Sequence, residues 1–268
     1  MKAKNPQFSI IVFLDILGFK QLSKSHKDIE WLIDFLYEIR EESSSFEEKI
    51  VEHEQKGNHT IQLKLNILSF SDHIILSVPL NICSSIPEYT DLLKFKTALT
   101  FMKFHISKLQ IKALMNGISL RGAISVGDVY LDIENNIVTG ESLIEAIENE
   151  QKLAIYPRVV TSKSLLQYSK NLNPTFPPHK FEFIKDFDGT YFIDYLVNQI
   201  WLSISTTDIS SLTIIRNQIA QKLNKAHDNA SIYQKWYWLA KYFDTSIGKL
   251  SQEHSLLENI QNILLPDE

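Results

Sequence analysis

Two aspartates in apolar surroundings are the residues of this chain best suited to chemistry. Asp15 follows the apolar run of residues 9–14, and Asp72 lies between two further apolar runs. A carboxylate at the end of a buried strand is unfavourable unless it is paired or binds a metal ion. If a sheet brings them together, the two carboxylates predict a shared Mg²⁺ or Mn²⁺ site, because both ions prefer hard oxygen ligands and bind phosphates.

A structural role is the alternative interpretation of these two residues. Asp15 is a residue type that caps helix N-termini, and Asp72 is a common turn former. The eight histidines, among them His73, lack the spacing of zinc ligands and are interpreted as surface or packing residues. The sequence has no P-loop, dinucleotide fingerprint or nucleophile elbow. The aspartates therefore remain the leading candidates.

Composition excludes several classes of protein. The net charge of -5 argues against general binding to a nucleic-acid polymer, which requires a basic face. The single cysteine, Cys83, excludes an internal disulfide framework and a cysteine-rich zinc site, and fits a reducing, cytoplasmic location. No apolar run approaches 18 residues, so no membrane span is expected. Asp15 interrupts the apolar N-terminal segment, which we interpret as a first strand rather than a targeting signal.

The hydrophobic pattern predicts an α+β fold with a ferredoxin-like β-α-β-β-α-β core. The predicted elements are a strand at 9–14, a helix at about 27–55, a hairpin of strands 61–69 and 73–78, a helix from Pro87 to about 115, strands at 118–126 and 129–133 separated by a turn at Gly127-Asp128, a helix at 141–154 and a strand at 158–160.

A linker at 171–180, rich in proline and asparagine, divides the chain into a core of residues 1–170 and a C-terminal extension of residues 171–268. The extension is predicted to hold a strand pair, 181–184 and 190–195, and two helices, 206–226 and 230–250. Trp236 and Trp238 lie at near-helical spacing and are expected in the core or on a dimer surface. For Arg158, a structural role is favoured.

Four segments in fixed order resemble the class III nucleotidyl cyclases. Residues 13–19, FLDILGF, resemble the Phe-x-Asp-Ile-x-Gly-Phe segment of that family, and Ser71-Asp72 stands where the family has its second metal aspartate. Residues 121–127 resemble the family strand that begins Arg-x-Gly-Ile, and residues 140–146 resemble the loop and helix that carry its transition-state residues. The resemblance covers roughly residues 8–162 and implies the class III catalytic core.

The resemblance also implies roles for individual residues. Asp15, Ile16 and Asp72 would hold two Mg²⁺ or Mn²⁺ ions per site, and Asp15 and Asp72 would be catalytic together with Arg121. Arg121 would also contact substrate phosphate or base, although pairing with an acid is the alternative. The family places its sites between the protomers of a head-to-tail homodimer, so one protomer would supply the aspartates and its partner the Arg121 strand. The remaining substrate-binding positions are Phe13 and the residues Ile16, Leu17, Gly18 and Phe19, whose backbone amides would hold phosphate oxygens.

Departures from the family pattern favour a pyrimidine substrate. Adenine-selective members carry a lysine at the position of Leu68 and an aspartate near Ile137. The helix around Ala146 offers neither the family's asparagine nor its arginine, and no basic residue precedes Lys152. Apolar residues cannot read a purine edge by hydrogen bonds.

The pyrimidine cyclases of the bacterial antiphage system Pycsar are a closer resemblance, which extends over nearly the whole chain. It implies conversion of UTP or CTP to the cyclic 3′,5′-monophosphate and pyrophosphate, as a second messenger read by an effector. A non-catalytic cyclase-homology domain that binds nucleotide or a partner protein is the rival hypothesis, and a purely structural interaction protein is a third. The matching segments are residues 120–124, 140–146, 154–160, 188–195 and 235–239.

Overall fold

A computed structural model describes residues 5–24, 26–45, 47–54, 57–84, 89–174 and 183–264. The predicted α+β class is confirmed, with a mixed β-sheet and helices on both of its faces. In chain order the elements are β1 (Gln7–Leu17), α1 (Phe19–Leu22), α2 (His26–Ser45), β2 (Glu47–Glu54), β3 (Gly57–Lys64), β4 (Asn66–Phe70), β5 (His73–Pro79), β6 (Cys83–Ser84), α3 (Asp91–Met115), β7 (Ser119–Asp132), β8 (Ile137–Thr139), α4 (Glu141–Leu153), β9 (Val159–Thr161), α5 (Lys163–Leu172), β10 (Phe183–Lys185), β11 (Tyr191–Ile193), α6 (Leu196–Thr206), α7 (Ser210–Lys225), α8 (Ala230–Ser251) and a 3₁₀ helix (Ser255–Asn259).

The central sheet has the strand order β10-β11-β9-β7-β1-β5-β4, with β8 paired to β7. Strands β7 and β9 are parallel, whereas β1 pairs antiparallel with both β5 and β7. Elements β1, α2, β4, β5, α3 and β7 follow one another in the predicted β-α-β-β-α-β order. This order places β1 between β5 and β7, so side chains from three strands meet near its C-terminal end.

Strand β1 is buried on both faces, which explains its continuous apolar run. Ile10, Val12 and Leu14 pack in the large cluster that includes side chains of α2 and α3, whereas Ile11 and Phe13 pack with residues of α4 on the other face. Because side chains alternate along a strand, Asp15 lies on the α4 face. The approach of β7 to β1 requires glycine at position 122, since a Cβ there would lie 2.2 Å from the carbonyl oxygen of Phe13.

The predicted helix at 27–55 is wrong in its second half. Helix α2 ends at Ser45, and β2 then pairs antiparallel with β3 in a separate three-stranded sheet of order β2-β3-β6. The predicted strand 61–69 is likewise divided, because β3 pairs with β2 and β4 pairs with β5. Pairing between strands here overrides the helical spacing of the sequence.

Other predictions are confirmed or corrected in part. Helix α3 begins at Asp91, where the Thr90 side chain accepts a hydrogen bond from the Leu93 amide, and ends before Gly117; Pro87 lies outside the described residues. The turn predicted at Gly127-Asp128 is wrong, since β7 continues through both residues to Asp132, paired with β1 as far as Val129 and with β8 beyond it. Helices α5 and α6 were not predicted, and α5 extends into the predicted linker, of which residues 175–180 lie outside the described residues.

The C-terminal elements join the same sheet and a second core. Strands β10 and β11 pair with each other as predicted and extend the sheet beside β9. Helices α6, α7 and α8 pack with Ile111 and Leu114 of α3. Trp236 and Trp238 are only 9% and 7% exposed, so of the two places predicted for this pair, the core and a dimer surface, the core is confirmed. In the part of the chain described, no helix is both long and apolar enough to cross a bilayer.

Candidate functional site

The two aspartates come together where β1 and β5 meet, as the sequence predicts. Asp15 lies opposite His73 in the antiparallel register, and Asp72 precedes His73 in the tight turn between β4 and β5. The turn is fastened to β1 because the Ile16 amide donates to the Asp72 carbonyl oxygen at 2.9 Å. Ser71 has a φ of 54°, a left-handed conformation that a short turn requires.

His73 completes a three-residue cluster with the aspartates. One potential ligand atom from each of Asp15, Asp72 and His73 lies within 4.8 Å of the others, and all three residues are half-buried. His73 Nδ1 is 3.2 Å from Asp72 Oδ1, and Nε2 is 4.0 Å from Asp15 Oδ1. The prediction that His73 is only a surface or packing residue therefore misses its place beside both carboxylates, which the hairpin register decides.

Arg121 faces Asp15 from the other neighbouring strand. The two residues are paired in the register of β1 and β7, and Arg121 Nε donates to Asp15 Oδ2 at 2.8 Å. The same guanidinium contacts Glu150 of α4, with Nη2 2.8 Å from Oε1, and the carbonyl oxygen of Ala154 at 3.4 Å. Arg121 thus bridges two carboxylates of its own chain. The expectation that the partner's strand brings this arginine to the aspartates is corrected, since the same protomer already places it there.

Glu150 is the most buried carboxylate of this group, with only 3% of the residue exposed. Burial raises the pKa of Glu150, Arg121 opposes the rise, and the nearby Asp15 carboxylate adds to it. Lys235 of α8 is also within electrostatic reach: burial and then the Arg121 charge lower the pKa of Lys235, while Asp15 acts in the opposite direction. The site is therefore a mixed cluster of acids and bases, and not an acidic patch alone.

Helix α4 is held over the sheet by a second carboxylate, Glu145. Ser125 of β7 and Ser164 of α5 both donate through their hydroxyls to Glu145 Oε2, at 2.6 and 2.5 Å, and the Ser164 amide donates to Oε1 at 3.2 Å. Burial raises the pKa of Glu145, but these hydrogen bonds outweigh that contribution and lower the pKa overall. These contacts fix the orientation of α4 and so of Glu150 one and a half turns later.

The segment after Asp15 agrees only in part with the predicted phosphate cradle. The Ile16 amide donates its hydrogen bond to the Asp72 carbonyl oxygen, so the prediction that it holds a phosphate is wrong. The Phe13 side chain is only 4% exposed and packs beside the His73 ring. Leu17 and Phe19 are half-buried. Gly18 is exposed with a φ of 80°, which allows the tight turn from β1 into the short helix α1. The amides of Leu17, Gly18 and Phe19 remain as predicted donors to phosphate.

Neither of the two positions that would read the base in the family carries a side chain able to form a hydrogen bond. Leu68 is buried with Ile11 and Ile75, and Ile137 is 56% exposed on β8. Lys152 forms an exposed ion pair with Glu148, with its Nζ 2.8 Å from Oε2. Glu150 and Lys235 were missed by the sequence analysis, because neither follows a motif and only the packing of α4 and α8 brings them to the aspartates.

The residues present fit a divalent cation. Asp15 and Asp72 supply the oxygen ligands that Mg²⁺ and Mn²⁺ prefer. His73 Nδ1 is buried and lies 3.2 Å from Asp72 Oδ1 without hydrogen-bond geometry to it, so a cation bound between them would satisfy both atoms. The imidazole nitrogen favours Mn²⁺ over Mg²⁺, because transition-metal ions accept nitrogen ligands more readily.

The chain matches no protein-family model, and a search of curated proteins finds no match.

Proposed function

We propose that this protein is a metal-dependent nucleotidyl cyclase that acts on a pyrimidine nucleoside triphosphate, UTP or CTP. The observation that carries the proposal is the convergence of Asp15, Asp72 and Arg121 on one face of an antiparallel β-α-β-β-α-β sheet. The same three residues are those that the class III resemblance assigns to metal binding and catalysis. The class III core and the closer likeness to the Pycsar enzymes are parts of this proposal.

Asp15 and Asp72 would hold the cations, with His73 as an additional donor and the Ile16 carbonyl as the ligand that the resemblance adds. Two bound Mg²⁺ or Mn²⁺ ions would neutralise charge on the triphosphate and lower the pKa of the ribose 3′-hydroxyl. The chain's own task is then positioning. Arg121, released from Asp15, can turn its guanidinium to a phosphate oxygen while Glu150 keeps it oriented, since guanidinium groups bind phosphate in a bidentate way.

The pyrimidine preference rests on the buried Leu68 and the apolar Ile137. A purine that is desolvated in a site without complementary polar groups loses hydrogen bonds to water, and each unsatisfied group costs about 1–3 kcal/mol. A pyrimidine offers fewer such groups and a smaller area to accommodate.

A homodimer with sites at its interface is part of the proposal, and the exposed apolar side chains around the site support it. Phe70, two residues before Asp72, is 54% exposed, and Leu153 and Ile155, which flank the Ala154 carbonyl beside Arg121, are 38% and 52% exposed. Apolar side chains clustered around a polar site are typical of an interaction surface. A partner protomer that covers them would exclude water from the aspartates.

The test is product analysis by mass spectrometry after incubation of the protein with each of the four nucleoside triphosphates and Mn²⁺. We expect cyclic UMP or cyclic CMP as the main product. Asp15→Ala and Asp72→Ala should each lower turnover at least about 100-fold, since the lost ligand contributes several kcal/mol of charge stabilisation. Asp128→Ala, which removes an exposed carboxylate on β7, is the matched control and should retain activity.

One observation favours a second candidate function, a cyclase-homology domain that binds nucleotide without turnover. Helix α4 presents no asparagine or arginine at the positions of the family's transition-state residues, and its Glu145 is engaged by serines. Binding of Mn²⁺ and triphosphate without product in any of the four incubations would support this candidate. Dominant cyclic AMP or cyclic GMP would refute the pyrimidine assignment while leaving the cyclase proposal intact.

A further inference from the structure

A second cavity, separate from the aspartate site, lies between the β10–β11 hairpin and α8. Its volume is about 670 Å³, within the range of small-molecule sites, and no residue of the Asp15 cluster lines it. Seven of its fifteen lining residues are aromatic. Tyr156 and Trp238 stack with ring centroids 5.6 Å apart and an interplanar angle of 12°, and Trp238 stacks in turn on Tyr242 at 5.4 Å.

A buried ion-pair network holds this aromatic wall in place. Arg158 is fully buried, and its guanidinium pairs with Asp186 and Asp188 in the hairpin turn. Trp238 Nε1 donates to Asp186 Oδ2 at 2.9 Å, so the indole is fixed to the same network. Phe187, between the two aspartates, is held outward and is 75% exposed at the cavity mouth beside Tyr156. The wall is therefore rigid before any ligand arrives.

The cavity carries positive charge. Lys185 of β10 and Lys241 and Lys249 of α8 line it, and the two lysines on α8 are exposed. Asp186 is the one acid among its lining residues, and it is paired with Arg158, which it shares with Asp188. An anionic ligand would thus meet three ammonium groups and no free carboxylate in this lining.

On α8, the aromatic Tyr237 and Trp238 lie towards the N-terminal end of the cavity and Lys249 towards its C-terminal end, with Lys241 and Tyr242 between them. At 1.5 Å per residue, Lys241 lies about 5 Å and Lys249 about 17 Å beyond Trp238 along the helix axis. This arrangement suits a ligand with a flat aromatic end and an anionic end.

We propose that this cavity binds a nucleotide, with the base stacked on the aromatic wall and the phosphates directed to Lys241 and Lys249. Aromatic side chains can stack on any base, because every base has a π-face. A purine offers a larger face than a pyrimidine and therefore a larger stacking area. The cavity therefore binds purine nucleotides at least as well as pyrimidine nucleotides. This preference distinguishes it from the aspartate site, whose substrate is expected to be a pyrimidine nucleotide, and it does not depend on that site being catalytic.

The test is isothermal titration of the full-length protein with AMP and UMP in the presence of EDTA, which removes metal-dependent binding. We expect both to bind, AMP at least as tightly as UMP. Adenosine, which lacks the phosphate, should bind at least about tenfold more weakly, since one charge-assisted hydrogen bond is worth about 1.5–3 kcal/mol.

Variants locate the binding. The double substitution Lys241→Ala with Lys249→Ala should weaken AMP binding about tenfold or more, and so should Tyr237→Ala, which removes an exposed aromatic of the wall. Lys225→Ala, at an exposed lysine of α7, and Asp15→Ala are the controls and should leave the affinity unchanged. Circular dichroism confirms the fold of each variant.

Three outcomes would overturn the proposal. They are no AMP binding up to about 1 mM, binding that Asp15→Ala removes while the lysine variants retain it, and binding of an acidic tyrosine-containing peptide in place of AMP. Failure of the aspartate site in the turnover assay would leave this titration unaffected, so the two proposals are tested separately.

Discussion

Neutralising Glu150 should weaken metal binding at a site that Glu150 does not itself form. Arg121 contacts Asp15 and Glu150 at 2.8 Å each, so in the absence of a cation it is shared between two carboxylates. A cation on Asp15 Oδ1 and the guanidinium on Oδ2 are like charges that share one carboxylate, so they oppose each other, and Glu150 is the carboxylate that draws Arg121 away. In Glu150→Gln, Arg121 keeps only Asp15 as an ionised partner and competes more strongly with the metal.

The magnitude follows from the contacts. The contact between Arg121 and Glu150 is an ion pair without hydrogen-bond geometry, and it lies between an exposed pair, worth about 0–1 kcal/mol, and a buried pair, whose breaking costs about 3–5 kcal/mol, so we expect a loss of about 1–2 kcal/mol. About 1.4 kcal/mol corresponds to a tenfold weaker dissociation constant for Mn²⁺. The opposite change is expected for Arg121→Gln, which removes the competing cation and should tighten Mn²⁺ binding by a similar factor while turnover falls.

The assay is Mn²⁺ titration followed by electron paramagnetic resonance of the free ion, without nucleotide. Glu148→Gln is the matched control, because Glu148 lies on the same helix but forms an exposed pair with Lys152, and exposed pairs contribute little. Thermal unfolding verifies that each variant is folded. Equal or tighter Mn²⁺ binding by Glu150→Gln, or weaker binding by Arg121→Gln, would refute the idea that Arg121 and the cation compete for Asp15.

Two further predictions concern stability. Asp186→Asn should lower the free energy of unfolding by about 2–4 kcal/mol in urea titrations, because it leaves the fully buried Arg158 with one ionised partner. Asp188→Asn should cost less, and its cost should depend on pH. Burial raises the pKa of Asp188, but hydrogen bonds from Arg158 and a backbone amide outweigh burial and lower the pKa overall. The stability that ionised Asp188 contributes is therefore fully present above the ordinary pKa of 3.8 and is lost as the pH falls through the lower pKa of the folded state. An equal cost of both substitutions at neutral pH would contradict this. Gly122→Ala should destabilise the protein by about 3 kcal/mol or more, since its Cβ would lie 2.2 Å from the Phe13 carbonyl oxygen; unfolding like that of the wild type would exclude so close a strand approach.

Local patterns predicted the parts of the fold that local forces decide. The apolar run before Asp15, the turn at Asp72 and the end of the helix before Gly117 all appear where the sequence places them. The segment after Ser45 was assigned wrongly, because its alternation of apolar and charged residues suits a helix or a strand and only its pairing with β3 decides between them.

The residue types of the candidate site were determined by the sequence: two carboxylates in apolar surroundings and an arginine on a later strand. Their convergence could be anticipated because antiparallel pairing of β1 with β5 and β7 fixes which residues lie opposite Asp15. Only the tertiary structure decided that Glu150 and Lys235 join them, since a helix can pack on a sheet in many positions and orientations that its sequence pattern does not distinguish. For the same reason the sequence did not predict the aromatic cavity. Its walls come from residue 156 and the distant segments 184–192 and 233–249, and they form only when α8 packs beside the last two strands.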